Sequence, residues 1–327
     1  MKRLYFILLL PFMLLGADYR LGQGYELAPW LKIGGYLSSE YQKREHENEF
    51  EIDDLAFLGY GDIPGGLHYL VEMEAVKYYV RDFENDTTET NSRFYVERAY
   101  LSYAHSQHLS LTAGKFITPG CYWNQVPINV LRDTTSKPRL SQYLFPRLVS
   151  GVGVDGYLPG SETTSYALFI QKNKDIDHGY NNFYTQDHTG AMIKEELDEW
   201  ELALWGGEFE DVDKNINRYA GLTLQYKDPK NTLIMEAAYG QADLTTEINE
   251  KDRESFYTQY TRQLTRQHYV VGRYEYFRDE SSDTLENIYI LGYNYRPLFP
   301  ISLKAEYQHH DTVSEESGVL FSFSVLF

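Results

Sequence analysis

Residues 301–308 read Ile-Ser-Leu-Lys-Ala-Glu-Tyr-Gln, and period two sorts them onto two faces. Ile301, Leu303, Ala305 and Tyr307 share one face, with Ser302, Lys304, Glu306 and Gln308 on the other. Such a pattern describes a strand with one apolar and one polar side. Leu67, Tyr69, Val71, Met73 and Ala75 stand in the same way opposite His68, Glu72 and Glu74. Sixteen segments follow this rule, over 30–43, 50–63, 67–80, 93–106, 109–118, 148–159, 163–173, 187–197, 199–210, 218–227, 232–242, 255–265, 267–278, 285–296, 301–310 and 318–327. The links between them alternate in length. Tight ones fall at Pro64-Gly65-Gly66, Ser106-Gln107, Pro159-Gly160, Asp198, Asp228 to Asn231, Arg266 and Pro297 to Pro300. Longer polar ones fall near 44–49, 81–92, 119–147, 174–186, 211–217, 243–254, 279–284 and 311–317. Seven turns on one side and eight loops on the other describe an even-stranded meander with both ends on the turn side.

Sixteen half-apolar strands need something to cover their apolar faces. A soluble sandwich buries them between two sheets and has no reason to make its two ends different. A membrane barrel has short turns at one rim, longer loops at the other and an apolar belt edged by aromatics, and its closure leaves no unpaired backbone in lipid. The 30 Tyr fit that belt, since a Tyr ring sits at the membrane interface with its hydroxyl reaching the headgroups. Helical membrane spans are excluded, because no apolar run beyond the first 17 residues approaches the ~18 they need. One Cys excludes a disulfide framework and multi-thiolate metal sites. A net charge of −18 argues against nucleic acid as a partner. The expected fold is all-β: a transmembrane antiparallel up-and-down barrel of about sixteen strands over 18–327.

Residues 1–17 read as a secretory signal peptide. Lys2 and Arg3 precede the apolar run Leu4 to Leu15, and Gly16-Ala17 offers small residues before Asp18. Leu14-Leu15-Gly16 resembles a lipoprotein signal, but Ala17 stands where the acylated Cys would be. Cleavage there leaves 310 residues and, with Lys2 and Arg3 gone, takes the charge from −18 to −20.

The mature chain resembles the sixteen-stranded outer-membrane porins of Gram-negative bacteria. Three features carry the resemblance. Phe327 follows an alternating aromatic strand, similar to the signal read by the barrel-assembly machinery. Leu109 to Pro119, LSLTAGKFITP, looks like the strand that enters the porin constriction loop. The third outer loop, 119–147, is by far the longest. The resemblance implies a homotrimer set in outer-membrane lipid and lipopolysaccharide, one water-filled pore per subunit, and a third loop folded into each pore. It implies no cofactor, no metal and no catalytic residues.

Other motifs weigh less. Gly151 to Gly156 matches GxGxxG, but the glycines lie inside an alternating strand ended by Pro159-Gly160, with no helix to meet a pyrophosphate. Asp211, Asp213 and Asn215 start like a calcium loop, yet Ile216 and Leu222 occupy the positions that need Gly and Glu. His309 and His310 are neighbours on a strand and face opposite ways. Cys121 has no recognisable base and reads as a free thiol at a loop root.

Charge is distributed unevenly. Loop 119–147 holds Arg132, Lys137, Arg139 and Arg147 against Asp133, a balance of +3. Loops 81–91, 243–254 and 311–317 each balance at −3. Arg132, Lys137, Arg139 and Arg147 are therefore expected at the constriction, where basic groups favour anions. Lys115 joins them if a bulge at Gly114 turns it inward, as the basic residue after this Gly sits in related porins. Alternation places Lys32, Glu72, Glu74, Arg98, Glu201, Glu236, Arg273, Glu275, Lys304 and Glu306 on the lumen wall, where they would tune selectivity. So few basic residues, mixed with Glu, do not make the Arg and Lys ladder of the phosphate-selective members. The expected function is passive diffusion of small hydrophilic solutes and ions, with an anion preference at the constriction. The alternative is a non-conducting barrel, either an adhesin or a lipid-modifying enzyme.

Overall fold

The computed structural model describes residues 18–244 and 250–327. The signal segment 1–17 and Glu247 of the acidic loop lie outside the described residues. The strands are β1 (Asp18–Arg20), β2 (Gly24–Ala28), β3 (Leu31–Arg44), β4 (Glu47–Ile63), β5 (Leu67–Asp82), β6 (Thr87–Thr90), β7 (Tyr95–Ser106), β8 (Leu109–Ile117), β9 (Leu148–Tyr157), β10 (Thr164–Gln171), β11 (Thr185–Leu197), β12 (Trp200–Asp211), β13 (Ile216–Lys227), β14 (Asn231–Asp243), β15 (Lys251–Gln263), β16 (His268–Asp279), β17 (Thr284–Tyr295), β18 (Ile301–His310) and β19 (Gly318–Leu326). Each of the sixteen expected segments is a strand. Alternation did not reveal the N-terminal hairpin β1–β2 or the short β6, which pairs with the top of β5.

Every neighbouring pair in the wall is antiparallel, and β19 pairs with β3 from Gly318↔Arg44 to Leu326↔Tyr36, which closes the barrel. The closed wall has sixteen strands, since β1, β2 and β6 stand outside it. Its polarity is inside out. Leu291 on the outer face is 64% exposed, whereas Glu236 on the inner face is 1% exposed. Phe57, Leu168, Leu204, Leu222, Leu303 and Phe321 share the outer face with Leu291, and Glu72, Gln259, Arg273, Lys304 and Glu306 are buried inside. An apolar exterior of this kind is stable against hydrocarbon, and the polar interior suits a water-filled bore.

The short turns follow from local chemistry. Asp228 accepts the Lys230 N–H at 2.7 Å and the Asn231 N–H at 2.8 Å, a side-chain-closed turn. Gly66 has φ +84°, and a Cβ there would lie 2.7 Å from the Ala104 carbonyl oxygen.

Phe327 extends the seam beyond β19. Its N–H donates to Gly35 O at 2.8 Å and its carbonyl accepts the Gly35 N–H at 2.7 Å. A Cβ on Gly35 would meet the Phe327 ring at 2.9 Å. Deleting Phe327 removes both bonds at the joint that must form last. The expected result is less heat-modifiable barrel in the outer membrane and more unfolded chain in the periplasm; unchanged levels would show that the seam closes without it.

Candidate pore constriction

Loop 118–147 leaves β8, crosses the bore and returns to β9. Its base is closed by the Thr118 N–H donating to Arg147 O at 2.9 Å. It carries two short 3-10 turns and helix α1 (Arg139–Tyr143). One apolar face of the loop (Cys121, Trp123, Leu140, Leu144 and Phe145) packs on Trp205, Phe209, Tyr219, Tyr257 and Phe277 of β12 to β16. Further along, Ile128 and Val130 pack on Tyr36 and Ala56 of β3 and β4. The third outer loop therefore packs against the inner face of the wall.

The wall charges grip this loop. Glu236 accepts the Tyr122 N–H at 2.8 Å and the Cys121 thiol at 3.2 Å, and also the hydroxyls of Thr223 and Tyr257. Glu275 accepts the Arg139 N–H at 2.9 Å. Glu306 accepts the N–H groups of Thr135 and Ser136 and the Ser136 hydroxyl. Cations take the carbonyls: Lys304 Nζ donates to Asn129 O at 2.6 Å and Thr134 O at 3.3 Å, and Arg273 Nη1 to Ser136 O at 3.0 Å. Arg296, absent from the expected wall set, donates to Val130 O at 2.6 Å and Arg132 O at 2.7 Å. Five of the ten expected wall residues (Glu236, Arg273, Glu275, Lys304 and Glu306) thus hold the loop's main chain. Glu72 pairs with Arg98, and Glu201 with Lys194 at 3.3 Å. Lys32 lies near the turn-side rim, opposite Glu26 and Tyr60. Glu74 accepts hydroxyl bonds from Tyr36 at 2.7 Å and Tyr180 at 2.5 Å.

The loop cations part company. Arg139 is committed to Glu316 at 2.8 Å and Glu286 at 3.3 Å. Arg147 lies over the Tyr180 ring, 5.8 Å from its centroid. Arg132 Nε donates to Val126 O at 2.9 Å. Lys137 has no ion pair and no hydrogen bond to its ammonium among the described residues. It borders a cavity of about 270 Å³, another of about 370 Å³ and a narrow space of about 20 Å³ that it shares with Arg132 and Arg147.

Opposite these cations stands an acidic face that charge counting by loops did not find. The register slips by one residue between β3 and β4 and again between β4 and β5, around Asp53 and Asp54. Asp53 and Asp54 both border the 370 Å³ cavity with Lys137. Glu40 faces Glu51 across the strands, and their carboxylates lie within 4.8 Å of each other and of Asp53. The signal was present in the alternation, because Glu47, Glu49, Glu51 and Asp53 recur at period two. The aperture therefore has a basic loop side and an acidic wall side.

Two linked expectations are corrected, the bulge at Gly114 and the place of Lys115 in the pore. No bulge occurs at Gly114, which pairs with Tyr100 and Gly151 in unbroken register, and Lys115 follows opposite Ala99 and Ser150. The nearby slip lies one strand over, where Glu72 and Met73 face Arg98 and Val96 and leave Glu97 as the extra residue. Lys115 is fully buried, donating to Ile176 O at 2.6 Å and Asp177 O at 3.0 Å, so it braces loop 172–184 instead of lining the pore. Cys121 is also fully buried, and burial together with the Glu236 carboxylate pushes its thiol well up, leaving it inert.

The discounted motifs stay discounted. A Cβ on Gly153 would lie 3.1 Å from the Phe116 ring, so this glycine makes room for an aromatic. Asp211 spends its carboxylate on the N–H groups of Asp213 at 2.9 Å and Asn215 at 3.0 Å. His310 faces inward onto Glu286, and the His309 ring lies tilted beside Tyr289 with the centroids 6.2 Å apart. On the outer face, His268 and Ser39 line one apolar groove. Four strand pairings separate them, about 19 Å, too far for a nucleophile and its base.

No family model matches the chain, and no curated protein matches it. Solved structures do. A loop L8 deletion mutant of OmpT, an outer membrane protein of Vibrio cholerae, aligns with TM-score 0.67 at 13% identity over 91% of this chain and 99% of that one. The in-vitro folded OmpT of Vibrio cholerae in its trimer form gives 0.65 at 12% identity over 91% and 98%. An anion-selective porin from Comamonas acidovorans gives 0.63 at 10% identity over 91% and 99%. The fold of this chain is that of the sixteen-stranded outer-membrane porins.

Proposed function

We propose that the chain is an outer-membrane porin of a Gram-negative bacterium. It passes small hydrophilic solutes and ions by passive diffusion, works as a homotrimer and catalyses no reaction. The observation that carries this reading is the aperture itself: Arg132, Lys137 and Arg147 on an inserted loop, facing Asp53 and Asp54 on the wall. Anions follow the loop side, where the preference expected from the +3 balance resides, and cations follow the wall side. Barrel-assembly machinery inserts the chain, and lipid and lipopolysaccharide cover its apolar belt. Single-channel recording in a planar bilayer tests the reading. Steady conductance steps in multiples of three support it, and silence from correctly folded protein would sink it.

A pH dependence follows from Lys137. Burial, reinforced by Arg132 and Arg147, pulls its ammonium down to about 8. The ammonium is charged below that value and loses its charge as pH rises through it. Zero-current potentials in a salt gradient are therefore expected to move toward cation selectivity between pH 7 and pH 9.5. Lys137→Arg, whose charge persists, should flatten that change.

A further inference from the structure

The chain carries 48 acidic and 30 basic residues, so a space in the bore bordered by cations alone needs a reason. One lies beside the constriction loop. A cavity of about 360 Å³ is lined by Lys137 and Arg147 of that loop and by Arg253, near the outer end of β15. Among the described residues no Asp or Glu lines it. The neighbouring cavities that Lys137 also borders are different. Glu40, Asp53, Glu275 and Glu316 line the one of about 270 Å³, and Asp53, Asp54 and Glu74 the one of about 370 Å³.

These cations are what internal pairing leaves over. Arg98 is spent on Glu72, and Arg139 on Glu286 and Glu316. Lys137 and Arg147 have no ion pair among the described residues, and the Arg147 guanidinium reaches only Tyr180 O, at 3.4 Å. Arg253 Nε pairs with Asp279 at 2.7 Å, but Asp279 does not line the cavity. Arg253 Nη1 donates to Tyr143 O at 2.8 Å and Nη2 to Ser281 Oγ at 3.3 Å, so two of its five N–H donors stay open among the described residues. At neutral pH three positive charges against the one on Asp279 leave a balance of +3 − 1 = +2.

The lining is held in place by the fold. Asn182 Nδ2 donates to Gln142 O at 2.8 Å and Phe145 O at 2.9 Å, and Asn182 Oδ1 accepts the Arg147 N–H at 2.9 Å. These bonds fasten loop 172–184 to the constriction loop, and the Arg253–Tyr143 bond fastens that loop to β15. Donors fixed in advance lose little freedom when a solute binds. Tyr143 and Phe183 add ring surface to the same cavity. A dianion matches the charge, guanidinium forks match carboxylates, and the two rings match a carbon frame.

We propose that this cavity is a subsite for small dicarboxylates, their carboxylates held by Lys137, Arg147 and Arg253 and their carbon frame against Tyr143 and Phe183. Its role in transport rests on the pore reading, whereas binding can be measured without conduction.

The test is calorimetric titration of detergent-solubilised protein at neutral pH with phthalate and, separately, with succinate. Saturable binding is expected for at least one probe, weakened about tenfold or more by Arg147→Gln and by Lys137→Gln, since each removes a charge-assisted contact. Arg147 is tied into the fold through its own N–H and carbonyl, so its side chain can change without unseating the loop. Lys172→Gln is the control, because Lys172 is exposed, pairs with Asp187 and does not line the cavity. It should leave the affinity unchanged. No saturable binding of either probe overturns the subsite, as does unchanged affinity in both Arg147→Gln and Lys137→Gln. An equal loss in Lys172→Gln also overturns it, since that marks general attraction by charge. Conductance in potassium chloride, recorded on the same preparations, separates the two ideas. A conducting channel without binding overturns the subsite alone, and a silent barrel that binds overturns the pore reading alone.

Discussion

Glu306→Gln combined with Lys304→Met is expected to unseat the constriction loop, giving a larger and noisier single-channel conductance from a barrel that still assembles. Lys304 holds Asn129 O and Asn129 Oδ1, each at 2.6 Å, and Thr134 O at 3.3 Å. Glu306 holds two N–H groups and the Ser136 hydroxyl in the next turn of chain. Hydrogen bonds to charged groups contribute about 1.5–3 kcal/mol each, so losing this set outweighs what one loop segment can hold by packing alone. The neutral replacements leave carbonyls and N–H groups at the mid-loop free to turn toward water. Heat-modifiable mobility should be unchanged, because neither residue belongs to the seam between β19 and β3. Wild-type conductance in this variant would return Lys304 and Glu306 to the role that alternation alone assigns them, as ion-facing wall charges.

Lys137→Glu is expected to shift the zero-current potential strongly toward cations, and Asp53→Asn with Asp54→Asn to shift it toward anions. Lys137 is the loop cation whose ammonium is unpaired among the described residues, and the two Asp face it across the same cavity. Charges in a narrow, poorly screened passage act on permeating ions far more than charges in an open vestibule, where screening sets in over about 8 Å at physiological salt. Arg139→Glu should behave differently. That guanidinium is spent on Glu286 and Glu316, so reversing it places three acids together and disturbs the loop's seat more than the ion preference. Asp82, at the outer end of β5, and Glu84, in the exposed loop beyond it, should give the smallest change. If Lys137→Glu leaves the potential where it was, the aperture lies elsewhere.

The strand pattern was readable because period-two alternation is local: each residue's face depends only on its neighbours and on which side meets lipid. Sixteen segments and the alternation of turns and loops followed from that, whereas the inward course of the longest loop was an expectation that came from the resemblance to porins. Two kinds of site residue escaped the same reasoning. Lys115 was assigned to the pore by a bulge at Gly114, yet the slip falls at Glu97 on the adjacent strand. Asp53 continues the period-two run of Glu47, Glu49 and Glu51 and could have been found from it, but Asp54 could not, because consecutive residues of a regular strand face opposite ways and only the register slips in the β3–β4 and β4–β5 pairings bring both to one cavity.

Alternation, the turn residues and the loop lengths were enough to define a sixteen-stranded barrel with a polar bore, since lipid outside and water inside leave each alternating strand one stable orientation. They could also say that Glu236, Arg273, Glu275, Lys304 and Glu306 point inward. They could not say what those residues meet there. Glu236 and Tyr122 are 114 positions apart, and Glu306 and Ser136 are 170 apart, so their pairing exists only once the barrel has closed around the loop. A buried charge acts on its nearest partner. Closure therefore turned the wall charges into anchors for the loop and left Lys137 in the cavity that it shares with Asp53 and Asp54.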